Sequence, residues 1–309
     1  MAVRQTFSKF KAVGRLKDKK LEVVEGKFDD GVAFNTVRGR FVIGVGDGEY
    51  NCEVYMRDKF AGNDHKTNSD YENIVELQNC ALDTPIEVRI RTDRFNDYVG
   101  KSGKVVSVDC FNVQGVRILS ELADKEKFEG VIEGMLTKCV PEYVNEEETG
   151  RLKVEITGVG YNEKALPHQL YVSADLADQF NDIYEMGALA SFSVEIKSVE
   201  YGVQKTTSTG GFGRRADVNT GFTRVEWIVI GGEEPIDEER VDKNGEKLFI
   251  DPKEIKRLLE ERSIELEQIL KESKNKTPRA KSGKQSFKAM SDTSMADGNP
   301  FDVGENPFL

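Results

Sequence analysis

From Val32 to Phe111 the chain alternates between apolar and polar residues in the two-residue rhythm of strands with one wet face. In Val32–Val45, the residues Val37, Phe41, Ile43 and Val45 fall on one parity and Thr36, Arg38 and Arg40 on the other. Glu49–Arg57 turns Tyr50, Cys52, Val54 and Met56 inward and Asn51, Glu53, Tyr55 and Arg57 outward. Ile86–Arg91 buries Ile86, Val88 and Ile90 and exposes Glu87, Arg89 and Arg91, and Lys104–Phe111 reads as a further strand. The Asp47-Gly48 step between the first two runs is a hairpin signal.

The second half follows the same plan. Phe128–Val140, Arg151–Val159 and Leu170–Ser173 read as strands, then Ala174–Ile183 as a short amphipathic helix capped by Ser173, then Ala188–Tyr201 and Phe222–Ile230 as strands. Two short echoes link the halves: Val37–Phe41 with Ile132–Leu136, and Phe95-Asn96-Asp97 with Phe180-Asn181-Asp182. Three strands, a short helix and two strands, with a glycine inside the first long strand, is the order of a five-stranded OB barrel. The predicted fold is mainly β, with two tandem OB-like five-stranded barrels, a C-terminal helix and a disordered tail. The first barrel covers residues 1–122 with an insertion at about 58–85, and the second covers 123–232 with a long hairpin loop at 203–222. Phe95 and Phe180 are expected at the helix positions, buried.

An acidic connector and a helix occupy residues 233–272. Asp251-Pro252 is a cap and first-turn pair, and Ile255, Leu258, Leu259, Ile264, Leu266, Ile269 and Leu270 form the helix's apolar stripe. That stripe fits either docking on the barrels or a contact between copies. Residues 273–309 carry little apolar content and are expected to be disordered.

Charge is uneven within a total of −11. Residues 1–120 hold 19 basic and 18 acidic side chains, 121–270 hold 18 and 32, 271–290 hold seven and one, and 291–309 hold four acids and no base. The composition is that of a soluble, polar protein, and no apolar run is long enough to span a membrane. The basic N-terminus lacks the apolar stretch of a signal peptide. Cys52, Cys80, Cys110 and Cys139 form no CxxC pair, so neither a zinc site nor a disulfide framework is favoured, and a reducing cytoplasmic setting is expected.

Catalysis finds no support. His65 lies in the polar insertion and His168 follows Pro167, which places both in loops, and HxxxH, GxSxG and Walker patterns are missing. No enzyme activity, catalytic residue, metal or cofactor is predicted. The binding signal is stronger. Arg38, Arg40, Arg57, Arg89 and Arg91 come from three strands yet share the outward parity, with Tyr55 among them. Single-stranded nucleic acid needs cations along its backbone and aromatic faces under its bases, and this surface offers both. The opposing reading is that these arginines solvate a sheet and pair with Glu53 and Glu87. The glycine-rich loop adds Lys205, Phe212, Arg214 and Arg215, which fit either a fold over a nucleic-acid strand or a mobile loop with incidental charge. The acidic second barrel is expected not to bind nucleic acid by its face.

The end of the chain carries Asn-Pro-Phe twice, at 299–301 and 306–308. An acidic stretch closing on Pro-Phe resembles the C-terminal tip of single-stranded-DNA-binding proteins, here Asp302, Glu305, Pro307, Phe308 and Leu309 with the terminal carboxylate. The departures are a weakly acidic tail and a leucine after the last phenylalanine. The same tripeptide also resembles the endocytic motif bound by EH domains. Barrels, helix, basic linker and tip together resemble a bacteriophage single-stranded-DNA-binding protein. The resemblance implies a sequence-tolerant coat on exposed single strands in DNA replication, recombination and repair. It also implies a tip that recruits polymerase, primase or helicase. The competing reading is an OB-fold structural or adaptor protein, such as a virion component, that binds protein and no nucleic acid.

Overall fold

The computed structural model describes residues 3–61, 64–122, 125–144, 146–201 and 222–275. Its elements run β1 (Ser8–Lys27), β2 (Ala33–Val45), β3 (Gly48–Arg57), α1 (Tyr71–Leu77), β4 (Pro85–Arg91), β5 (Phe95–Val99), β6 (Val105–Asp109) and β7 (Phe111–Ile118). The second half continues with β8 (Lys127–Val144), β9 (Glu147–Val159), β10 (Ala165–Val172), α2 (Ala177–Ile183), β11 (Leu189–Tyr201), β12 (Phe222–Gly232) and α3 (Pro252–Asn275).

Two closed circuits account for the pairing. β1, β2, β3, β7 and β4 follow one another and β4 returns to β1; β8, β9, β10, β12 and β11 do the same, with β11 returning to β8. In each circuit the third and fifth strands meet in parallel, at Cys52 and Phe111 in the first and at Tyr171 and Ile228 in the second. In the first circuit β1 runs antiparallel to β2 and β4, β2 to β3 and β4 to β7; in the second, β8 runs antiparallel to β9 and β11, and β9 to β10. That is the five-stranded Greek-key barrel of the OB fold, twice. α1 and α2 each lie between the third and fourth strands of their barrels, burying Ile74 and Leu77 in one case and Ala177 and Phe180 in the other.

The barrels share a seam. Ser8–Val13 of β1 runs antiparallel to Ile132–Lys127 of β8, which fuses both circuits into one ten-stranded sheet. Aromatic rings fill the space behind it. Tyr50 and Phe128 meet edge to face at 5.1 Å, Phe10 and Trp227 do so at 5.1 Å, and Phe111 packs on Phe128 at 5.1 Å. Each such pair adds about 0.5–1.5 kcal/mol beyond the area it buries.

β1 precedes the first strand read from the sequence, so every later strand of that barrel moves up by one. Its inward positions are Phe10, Ala12 and Leu16, with Gly14 at the bend where β1 passes from β4 to β2. A Cβ on Gly14 would lie 2.0 Å from the Gly44 carbonyl oxygen, so only glycine lets the strands cross there. Gly39, inside β2, has φ +131, and a Cβ on it would meet the Lys20 carbonyl oxygen at 2.0 Å. The β2–β3 hairpin closes through Gly46-Asp47, with the positive φ at Gly46 rather than at Gly48.

Other expectations are corrected in the same way. Lys104–Phe111 is not one strand: β6 ends at Asp109 and pairs with β5 in a separate two-stranded sheet, while β7 enters the barrel. The insertion at 58–85 contains α1, and Phe95 begins β5 rather than sitting on a helix. The Phe-Asn-Asp echo therefore joins a strand to a helix, and the Val37–Phe41 echo joins a second strand to a first. α2 begins at Ala177 with Leu176 in the capping position, and Ser173 supplies no side-chain cap. His168 is not in a loop; it sits on β10 at 2% exposure, stacked on Trp227 at 5.2 Å with Nδ1 2.8 Å from Asp109 Oδ1.

The connector and the first turns of α3, up to Leu259, dock on the second barrel. Ile236, Ile250, Ile255 and Leu258 pack with Met135, Val159, Ala165 and Leu189. Asp251 caps the helix, its Oδ1 accepting from the Lys253 N–H at 2.8 Å. Both barrels and these first turns of α3 form one compact unit. The β5–β6 hairpin from Asn96 and α3 from Glu260 belong to a second. Within that second unit Arg262 holds Asp97 at 2.9 Å and Ser107 at 3.1 Å.

Candidate nucleic-acid interface

Register builds the outer face of the first barrel. Three cross-strand rows run over β1, β2 and β3: Lys20, Arg40 and Glu53; Glu22, Arg38 and Tyr55; Val24, Thr36 and Arg57. Directly opposed residues share a face of the pleat. The rows therefore bring Arg38, Arg40, Tyr55 and Arg57 together, as their parity predicts, and add Lys20, which the sequence reading did not include. Thr36 departs from the pattern, being buried at 5% exposure.

The fate of each cation differs. Arg38 Nε lies 2.7 Å from Glu22 Oε1 and is neutralised. Glu53, opposite Arg40, is instead engaged by Arg94. Arg40 and Lys20 are left exposed, side by side, with no ion-pair or hydrogen-bond partner among the described residues. Like charges directly opposed across two strands destabilise a sheet unless an anion joins them. Among the described residues Arg57 has no carboxylate within ion-pair distance either. Its guanidinium lies 4.6 Å above the Phe34 ring and 5.5 Å from that of Phe28, and it donates to Tyr55 Oη at 3.3 Å. Tyr55 itself is 63% exposed.

Arg89 and Arg91 do not join this group. They stand on β4, the fourth strand, which pairs with β1 and β7 and not with β2 or β3. Missing β1 made β4 look like a third strand. Arg89 pairs with Asp70, and Arg91 Nε lies 3.5 Å from Asp93. Beside them Glu87 takes Lys11 at 2.6 Å and Arg117 at 3.1 Å. Partial burial pushes the Glu87 carboxyl up, but those two cations outweigh it and hold it below the usual range. The β4 surface is thus a set of compensated ion pairs.

Sequence reasoning also left out Phe28, Phe34 and His65. Phe28 and Phe34 flank the turn between β1 and β2 and pack at 4.4 Å; His65 stacks on Phe28 at 4.5 Å. His65 Nε2 is 2.6 Å from Asp30 Oδ2, and that hydrogen bond, first among its causes, holds the Asp30 carboxyl below its ordinary value. The Asp-Asp-Gly turn between the two phenylalanines was a usable signal for them; nothing local marks His65.

The second barrel uses the corresponding strands differently. Arg151 on β9 lies 4.8 Å over the Tyr171 ring, but it also binds Glu226 at 2.7 Å and Glu142 at 3.5 Å, and Tyr171 is 1% exposed. Among the described residues a cation and an aromatic meet in both barrels; in the first they face out with charge to spare, and in the second the cation is held by two glutamates. Lys205, Phe212, Arg214 and Arg215, and the tip residues Asp302, Glu305, Pro307, Phe308 and Leu309, lie outside the described residues. Among the described residues no group of three or more His, Cys, Asp or Glu side chains is placed to hold a metal ion. No helix among them is long and apolar enough to cross a membrane.

Strand order and surface together define a tandem OB-barrel protein with an open cationic and aromatic face on the second and third strands of its first barrel. The chain belongs to the YorF family, whose model matches residues 8–275. No curated protein matches it. Among solved structures it is similar to the wild-type single-stranded DNA binding protein from Thermus aquaticus, at 12% identity and a TM-score of 0.40, over 78% of this chain and 98% of that one. A deletion mutant of the same Thermus protein gives 13% identity and 0.40 over 77% and 99%. The barrels are defined by their strand order, not by these overlays.

Proposed function

We propose that this protein binds single-stranded DNA without sequence preference, through the outer face of β1, β2 and β3. One observation carries the reading: Lys20 and Arg40 stand opposed, without a partner among the described residues, next to an exposed Tyr55. Unpartnered cations in a row supply contacts to phosphates, and an open aromatic ring supplies a base with a stacking surface. Two of the three strands, β2 and β3, are those on which OB barrels carry oligonucleotides. Arg38 and Arg57 complete the face. Lys205, Phe212, Arg214 and Arg215 extend it if the 203–222 loop folds over the strand. Binding is stoichiometric and without catalysis. The protein coats exposed strands during replication, recombination or repair, in the cytoplasm of a host if it is viral. The tip from Asp302 to Leu309 recruits polymerase, primase or helicase.

A second reading has its own support. The pairings of Arg38 with Glu22, Arg89 with Asp70 and Arg91 with Asp93, and the net charge of −11, suit an adaptor that binds protein and no nucleic acid. Titration with a labelled oligo-dT and with the matching duplex, at two salt concentrations, separates the two. Tight binding of the single strand alone, weakening with salt, is the expected outcome. No binding to either at low salt overturns the first reading.

A further inference from the structure

At the far end of that face, the β1–β2 turn and the segment after β3 run side by side. Asp58 N–H donates to the Asn35 carbonyl at 2.9 Å, and the Phe60 N–H donates to the Lys66 carbonyl at 2.8 Å. Lys59 and Thr67 form a bridge, and His65 closes back on Phe28 and Asp30. A cleft of about 500 Å³ opens here, with Phe34 in its wall. Its charged lining is two lysines, Lys27 and Lys59, and two carboxylates, Glu25 and Asp58.

That balance selects the ligand. Two positive and two negative groups leave the cleft neutral, so a phosphate gains nothing by entering it. Asp58 is also occupied, accepting from the Asn35 N–H at 3.0 Å and from Asn35 Nδ2 at 3.2 Å, and Lys59 Nζ donates to the Ala33 carbonyl at 2.8 Å. What the cleft offers is an aromatic wall fixed by its neighbours: Phe34 is held by Phe28, by the Arg57 guanidinium and by the Gly26 backbone, where a Cβ would come within 2.6 Å of its ring. Two polar atoms of this braced cluster, Arg57 Nε and His65 Nδ1, are buried without a hydrogen-bond partner. A planar, neutral group of nucleobase size fits such a wall, and every base has a π-face to present.

We infer that this cleft takes one unpaired nucleobase, set against Phe34, at the end of the path that starts at Lys20 and Arg40 and crosses Tyr55. The inference rests on the single-strand reading above, and the experiment keeps the two apart. An oligo-dT carrying 5-iodouracil is bound to the full chain, irradiated and digested with trypsin. Affinity is also measured for oligo-dT and for an abasic strand of equal length, with wild type and with Phe34→Leu. Adducts are expected on the peptide of residues 28–38, which contains Phe28 and Phe34. Phe34→Leu should weaken oligo-dT about tenfold and leave the abasic strand nearly unchanged, as loss of one base–aromatic stack requires. A thermal melt of the variant guards against misfolding, and the crosslink needs no variant. Bound oligo-dT with adducts only elsewhere overturns the cleft while keeping the single-strand reading, as does an equal loss for both strands. Failure of wild type to bind either strand overturns both.

Discussion

Replacing Lys20 and Arg40 together by glutamine tests the functional face and its energetics at once. The two side chains are opposed across β1 and β2 and neither has a partner among the described residues. Each one that meets a phosphate of a single strand contributes about 0.7 to the slope of log affinity against log salt. Losing both should lower that slope by about 1.4, so the gap between wild type and variant narrows about sevenfold over a fourfold rise in salt. Arg38→Gln should shift the slope much less, because Glu22, 2.7 Å away, already neutralises that cation. Folding should respond in the opposite direction. Removing a like-charge pair from directly opposed positions costs nothing and is worth up to about 1 kcal/mol of added stability. Anisotropy titrations of labelled oligo-dT across a salt series give the slope, and urea unfolding gives the stability. An unchanged slope would refute the phosphate contacts. A clear fall in stability would show that the pair has a structural partner after all.

Three further outcomes follow from the fold. Burial raises the Tyr50 hydroxyl from 10.0 to about 12, so its neutral form is the one the fold favours. That contribution is intact below pH 10 and is lost as pH climbs toward about 12, some 2–3 kcal/mol in all; Tyr50→Phe should flatten the alkaline fall in urea midpoints, and an identical pH profile would count against it. Gly14→Ala forces β1 away from the Gly44 carbonyl and should cost about 2 kcal/mol or more, read as a lower urea midpoint at unchanged slope; a wild-type midpoint would mean the strands give way freely. Deleting residues 299–309 should leave the affinity for oligo-dT equal or higher while abolishing capture of a replication partner; weaker DNA binding would contradict the recruiting role of the tip.

How far the sequence could be read depended on side-chain size. β2, β3 and β4 were legible because Phe41, Ile43, Tyr50, Val54, Ile86 and Val88 stand out against the charges between them. β1 was not, since between its inward Phe10 and Leu16 lie only the small Ala12 and Gly14, and Val13, on the opposite parity, is buried too and breaks the alternation. One strand missed was enough to move Arg89 and Arg91 into the wrong neighbourhood, while the parity of Arg38, Arg40 and Tyr55 survived because parity is local. Register is not local. That Lys20 lies opposite Arg40, that Glu53 is drawn off by Arg94, and that His65 returns to Phe28 depend on contacts across 20 to 41 positions, which no window of sequence displays. His168 shows the same limit: Pro167 before it suggested a turn, yet Pro167 sits in register with Thr157 and the imidazole points into the aromatic core.

The seam between β1 and β8 changes what dilution can do. Two separate chains joined edge to edge by a strand pair would part as their concentration fell, and whatever depended on two barrels would fade with them. Here both strands belong to one polypeptide, so the barrels arrive at any target as a fixed pair, at one molecule per cell as at thousands. Such a pair is also freed from having to match. A homodimer must present the same surface twice, whereas this chain keeps an open cationic face on one barrel and closes the corresponding arginine of the other between two glutamates.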